Sequence, residues 1–121
     1  IGATNLIHGV VDRFDQGKAV INIGKDKNIV VPKQAAMQLS QKVVLSVRPE
    51  RIRLSHEPNG ADNHFTAKIR DSVYLGNHLR IQLNAEAFDF IVKYNRSSVE
   101  WAVDTAVVAS FASSDCWVVQ Q

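Results

Sequence analysis

The chain has 121 residues, 45% of them apolar, with 14 Lys and Arg against 12 Asp and Glu and a net charge of +2. That length holds one domain or two very small ones, and the apolar share is enough for a core. The near balance of charge gives no electrostatic footprint for nucleic acid, which a strongly basic domain would carry. Cys116 is the single cysteine. It excludes an internal disulfide and a cysteine-built zinc site, and it suits a reducing compartment. No apolar run approaches the roughly 20 residues that span a bilayer. No segment running from basic to apolar to small residues opens the chain. The first residue is Ile1 rather than methionine, so the chain reads as a fragment of a longer protein.

Taken in order, the elements are strands. Period-two alternation predicts strands through Gly9-Val10-Val11, then through Ala19, Ile21 and Ile23, with Asp15-Gln16-Gly17 as a hairpin loop between them. A second loop falls at Gly24-Lys25-Asp26-Lys27-Asn28. After Pro32, residues 33–39 predict turns or a one-turn helix. Val43, Leu45 and Val47 form the next strand, and Ile52 with Leu54 start a short one. Residues 56–63 lie within the longest polar break and read as a linker. Beyond it, Phe65, Ala67 and Ile69 alternate, as do Leu79, Ile81 and Leu83 after a turn at Gly76-Asn77. Phe88, Phe90, Val92 and Tyr94 share one face. Residues 97–104 again predict turns, and Val107, Ala109 and Phe111 a strand. Strands of this kind bury one face and wet the other.

The two sides of the linker match each other in order. Val11 aligns with Ile69, Ile21 with Ile81, Val31 with Val92, Leu45 with Ala109 and Leu54 with Val119. The separation grows steadily along the chain, as small loop insertions would make it. About 55 residues is marginal for an independent core. The expected fold is therefore all-β: an OB-like small barrel or sandwich built from two related five-stranded halves, about 1–55 and 64–121, in a single module.

Three segments carry a family resemblance. Ile1-Gly2-Ala3-Thr4-Asn5-Leu6, followed by the strand at Gly9-Val10-Val11, resembles the junction leaving the nucleotide-binding domain of importer ATPases. Val47-Arg48-Pro49-Glu50-Arg51-Ile52-Arg53-Leu54 resembles the Arg-Pro-Glu signature of their C-terminal domain. Asp71-Ser72-Val73-Tyr74-Leu75-Gly76 resembles that domain's aromatic-Leu-Gly hairpin. Together they resemble the TOBE-type regulatory domain of ABC importer ATP-binding subunits of the polyamine, iron and maltose kinds. The resemblance implies a regulatory module that supports a homodimer, with the ATPase domain and membrane permease subunits as partners. It also implies a location at the cytoplasmic face of the bacterial inner membrane. Its motif residues here are Arg48, Pro49, Glu50, Tyr74, Leu75 and Gly76. Pro49 also suits a corner between strands, because its ring fixes φ and removes a donor. Glu50 is expected to pair with a nearby arginine. The aromatic end of the chain, Ser110 to Trp117, departs from the family pattern and leaves the solute open.

Catalytic chemistry is missing from the sequence. The Gly-x-x-x-x-Gly-Lys-Ser/Thr phosphate cradle does not occur, so no cofactor is expected in this fragment; the resemblance implies that ATP and Mg belong to the remainder of a parent protein. His8, His56, His64 and His78 make no ligand spacing on one element, and no metal site is expected. No serine sits in a nucleophile elbow. Cys116, beside Trp117, reads as a buried thiol. Asn95-Arg96-Ser97 fits a glycosylation acceptor without secretory context. Two other functions compete. A single-strand nucleic-acid binder would use Phe88, Phe90 and Tyr94 beside Lys93 and Arg96, although alternation favours core packing for these rings. A small-oxyanion-binding module is the other, because modules of the resembled family bind molybdate, but the matching ligand constellation is not evident in this sequence. Separately, Arg51 and Arg53 share a strand face with Ser55 and suit a small anion-facing patch, although exposed strand arginines are common.

Overall fold

Alternating inward apolar and outward polar residues build ten strands in the computed structural model, which describes residues 4–86, 88–95 and 100–119. They are β1 (Asn5–Asp15), β2 (Lys18–Gly24), β3 (Lys27–Pro32), β4 (Lys42–Val47), β5 (Arg53–Ser55), β6 (Asn63–Tyr74), β7 (Leu79–Ala85), β8 (Asp89–Tyr94), β9 (Ala106–Phe111) and β10 (Cys116–Val118). Single turns of 3-10 helix at Pro49–Arg51 and Ser113–Asp115 precede β5 and β10. The turns at 35–36 and 39–40 replace any helix after Pro32. Of the segment 97–104, residues 97–99 lie outside the described residues, as do Ile1, Gly2, Ala3 and Arg96.

Two five-stranded antiparallel sheets result, ordered β10-β4-β1-β2-β3 and β5-β9-β6-β7-β8. The second order repeats the first with every strand moved on by one half, so the halves are related as expected. The sheets, however, are not the halves. β5 leaves the first half to pair with β9, and β10 leaves the second to pair with β4. This reciprocal exchange ties the halves together, and one continuous core runs from Ile7 and Val11 to Phe111 and Cys116.

Local detail repeats with the strands. β1 bulges after Val11, and β6 bulges after Ile69. The Val11 N–H donates to Gln41 O at 2.9 Å, and Val11 O accepts from Ser40 N–H at 2.8 Å. The Ile69 N–H donates to Thr105 O at 3.0 Å, and Ile69 O accepts from Asp104 N–H at 2.8 Å. Ser40 and Asp104 both hold positive φ, 65° and 69°. The ladders also correct the alignment of the halves. Val11 pairs with Ile21 and Ile69 with Leu83, so Ile21 corresponds to Leu83 rather than Ile81. Leu54 lies opposite Ala109 and Val118 opposite Leu45, so Leu54 corresponds to Val118 rather than Val119. Composition could not find these slips, because every candidate residue is apolar and only hydrogen bonding sets register.

Two buried asparagines cross-link the sheets at matching places. Asn63, at the start of β6, accepts a hydrogen bond from Val30 N–H at 2.7 Å and donates to Val30 O at 2.9 Å. Asn5, at the start of β1, accepts from Ile91 N–H at 2.7 Å and donates to Ile91 O at 2.9 Å and Val47 O at 3.1 Å. Each amide thus serves as one rung of a ladder for the edge strand of the opposite sheet, β3 or β8. On the open side of β5, Tyr94 Oη accepts from Leu54 N–H at 2.8 Å.

Close approach of β1 to β2 explains Gly9. A Cβ there would sit 2.5 Å from Ile21 Cγ2 and 2.8 Å from Asn22 O. Gly9→Ala is expected to cost about 1–3 kcal/mol by overpacking. Chemical denaturation measures it, and a change within about 0.5 kcal/mol would mean that β2 yields freely.

Candidate functional site

The Arg-Pro-Glu segment forms the corner where the chain leaves one sheet for the other. Arg48 is extended, at φ −70° and ψ 140°, the conformation a following proline demands. Pro49 is buried at the first position of the turn, where no N–H is needed. Arg51 N–H then donates to Arg48 O at 3.0 Å. Among the described residues Glu50 makes no carboxylate pair with an arginine: Arg53 Nη1 donates instead to the Glu50 backbone oxygen, at 2.8 Å. The nearest carboxylate to Arg51 is Asp115 at 3.9 Å, an exposed contact of little energetic weight. The Arg48 guanidinium lies 5.8 Å from the Trp117 ring centre, and that of Arg53 lies 5.8 Å from Tyr94.

This corner faces β8 and the tip of the β6–β7 hairpin. Between them is a cavity of about 230 Å³ lined by Arg48, Pro49, Glu50, His78, Arg80, Ile91 and Lys93. An adjoining cavity of about 520 Å³ shares Glu50 and Lys93 and adds Arg51, Arg53, Tyr94 and Asn95. Tyr74, Leu75 and Gly76 do not line either one. They form the hairpin tip, where Tyr74 and Leu75 are exposed, Gly76 takes φ +85°, and Leu75 N–H donates to His78 O at 2.8 Å. The second motif therefore meets the first only through His78, which it positions. A third cleft, of about 540 Å³, lies on the outer face of β1, β2 and β4, between His8, Val10, Asn22 and Lys42.

Other titratable groups are placed by packing. Burial pushes the Cys116 thiol up to about 12, so it stays protonated and is no nucleophile near neutral pH. The Asp62 carboxyl is held down, first by the Ser113 backbone N–H, then by the Ser113 hydroxyl and by Lys18. A depressed carboxylate contributes stability at neutral pH that is lost as pH falls through its folded value. His56 lies against Trp101, with ring centres 5.5 Å apart, and His78 Nδ1 is 2.7 Å from Asn77 Oδ1. Among the described residues no group of three His, Cys, Asp or Glu could hold a metal ion.

The family model described as the TOBE domain matches residues 45–119. The chain belongs to the TOBE domain family. Over its whole length this TOBE domain is 28% identical to a spermidine/putrescine import ATP-binding protein of Trichodesmium erythraeum, of which it covers 34%. It is 30% identical, again over its whole length, to the protein of that name from Trichormus variabilis, of which it covers 33%. It thus spans about a third of the length of these relatives. In fold it is similar to the cytoplasmic molybdate-binding protein ModG in a form with molybdate bound. The TM-score is 0.86 at 14% identity, with 98% of this chain and 96% of that chain covered. That likeness supports the OB-like all-β architecture.

The three rings proposed as a stacking platform pack into or against the core. Phe90 is fully buried, Phe88 packs edge-on against it with ring centres 4.0 Å apart, and Tyr94 turns its hydroxyl to Leu54. They therefore present no open stacking face of the kind single-strand binding uses. Arg80, Lys93 and His78 escaped sequence reading as a cluster with Arg48. Alternation puts Arg80 outside its strand, but its neighbours depend on the register of β8 and the path of the corner. Asn5 and Asn63 left one signal: both stand at the start of a long alternating strand, at matching positions of the two halves.

Proposed function

We propose that this TOBE domain is the regulatory, dimer-supporting module of the ATP-binding subunit of an ABC importer for polyamines. The observation that carries the reading is the whole-length similarity to spermidine/putrescine import ATP-binding proteins. The domain is non-catalytic: the phosphate cradle is absent from the sequence, and ATP and Mg are handled by the remainder of the parent protein. Its partners are that ATPase domain, a second copy of itself and the permease subunits that hold the assembly at the cytoplasmic face of the membrane.

An apolar face supports the dimer. On the outer side of the first sheet, Leu6, Ser46 and Trp117 lie in one row, with Leu6 57% and Trp117 40% exposed and Val10 beside them 38% exposed. The corresponding row of the second sheet is His64, Ser110 and Arg53, and the linker covers it through the hydrogen bond from Asn59 Nδ2 to Ser110 Oγ at 3.0 Å. Among the described residues, the first row keeps Leu6 and Trp117 exposed around a buried Ser46, whereas the second row is polar. Exposed apolar surface of this kind marks an interface.

Leu6→Glu with Val10→Glu is expected to shift the ATP-binding subunit from dimer to monomer by sedimentation equilibrium, with far-UV dichroism unchanged. In the reconstituted importer, deleting the domain should alter transport-coupled ATPase activity or its regulation by solute. Unchanged assembly, activity and regulation would refute the proposal.

A further inference from the structure

The two halves provide an internal comparison at the corners. In one, Lys18 pairs across the ladder with Pro32, and the adjoining turn is Ser113–Asp115. Here the chain supplies its own anion. Asp62 Oδ1 lies 3.4 Å from Lys18 Nζ, and Asp62 Oδ2 accepts from Ser113 N–H at 2.9 Å. In the other half, the position of Lys18 is Arg80, that of Pro32 is Lys93, and the turn is Pro49–Arg51. The position of Asp62 is Thr4. It carries no charge, and its hydroxyl is engaged with Ser46 Oγ at 2.7 Å and Val47 O at 3.2 Å.

The second corner therefore has no counterpart of the Asp62 carboxylate. Arg80 and Lys93 stand directly opposite each other in the β7–β8 ladder, and like charges in that relation destabilise a sheet. Lys93 is also half-buried. Among the described residues, neither cation has a carboxylate within 4.0 Å. Arg48 adds a third cation to the same cavity, against the single carboxylate of Glu50. Pro49 has no N–H to offer where Ser113 has one, so recognition falls to the guanidinium and ammonium groups. Guanidinium matches a tetrahedral oxyanion through paired donors, and ammonium serves as a point charge.

We propose that the cavity between the Arg48–Glu50 corner and β8 binds a phosphate group, held by Arg48, Arg80 and Lys93 where the other half places the Asp62 carboxylate. The adjoining cavity, which shares Glu50 and Lys93 and adds Arg51 and Arg53, has room for a second phosphate. The ligand class is thus a small phosphate or diphosphate metabolite. This goes beyond the importer reading and does not depend on it.

Titration calorimetry of the 121-residue chain with pyrophosphate, orthophosphate, sulfate and molybdate tests the site. Pyrophosphate is expected to bind one per chain and to weaken with added salt. Arg80→Gln should weaken it by about tenfold or more, since charge-assisted hydrogen bonds are lost. Lys25→Gln with Lys27→Gln, at a hairpin that lines neither cavity, should leave binding unchanged. Without ligand, Arg80→Gln should raise the melting temperature by roughly 1–4 °C, because the opposed charges are relieved. Failure of pyrophosphate and orthophosphate to bind at low salt would overturn the proposal, as would an equal loss in the hairpin variant. Binding of sulfate or molybdate without phosphate would overturn the ligand class. A fall in melting temperature for Arg80→Gln would also overturn it, because the opposed pair would then stabilise the fold without a ligand. None of these results bears on the importer reading, which rests on the ATPase and assembly measurements.

Discussion

Phe90→Ala is expected to remove about 3–5 kcal/mol of stability, the largest single loss in this domain. Phe90 is fully buried and sits at the centre of a ring cluster. Phe88 is at 4.0 Å, Phe65 at 5.8 Å and Phe111 at 6.2 Å between ring centres. The Phe88 and Phe111 contacts are T-shaped, the arrangement ring quadrupoles favour. Those rings come from β6, β8, β9 and the residue before β8, so the cavity left by truncation opens between elements that cannot close it by a local shift. A domain of this size has only about 5–15 kcal/mol in total, so the variant should melt far lower or fail to fold at 37 °C. Phe90→Leu preserves most of the volume and should lose clearly less. Urea denaturation followed by tryptophan fluorescence measures both. A loss below about 1 kcal/mol for Phe90→Ala would mean that the core refills.

The second large effect is expected at Asn63. Asn63→Ala removes the partner of both Val30 N–H and Val30 O at once. Each backbone group left unsatisfied costs about 1–3 kcal/mol when fully buried, and Val30 is half-buried, so the loss should fall in the lower part of the sum, roughly 2–4 kcal/mol. The corresponding change, Asn5→Ala, strips Ile91 in the same way and should cost a similar amount. Asn63→Asp separates hydrogen bonding from packing. It keeps the acceptor for Val30 N–H but sets a carboxylate oxygen against Val30 O in a buried place, so it should be at least as damaging at neutral pH. Hydrogen exchange at Val30 and Ile91 supplies the direct readout: each variant should speed exchange at its own strand and spare the other. Slow exchange at Val30 in Asn63→Ala would mean that the edge strand finds another partner.

These asparagines mark where sequence reading stopped. A polar residue at a strand start reads as solvated, and nothing local shows that its partner stands on a different sheet. The Arg48-Pro49-Glu50 corner was legible, because proline geometry is a property of the residue and its neighbour. The basic cluster around it was not. Arg80 and Lys93 are separated by a hairpin, and Arg48 reaches them only because β5 crosses to the other sheet. The ring cluster was half legible. The face shared by Phe88, Phe90 and Tyr94 was plain from alternation, while its role as core rather than platform needed the opposing strands.

By itself, the sequence determined most of the strands, the hairpin loop at Asp15-Gln16-Gly17 and the kinship of the halves; it read Lys27 and Asn28 as loop, where the structure starts β3 after a turn at Lys25-Asp26. Side-chain periodicity and backbone preference act over a few residues, and they are written where they act. Only the tertiary structure decided that β5 and β10 change places, that Ile21 answers to Leu83, and that Arg80 faces Lys93 with no carboxylate within 4.0 Å of either among the described residues. Those outcomes depend on pairing between distant strands, where many apolar registers look alike in composition and the backbone hydrogen bonds select one.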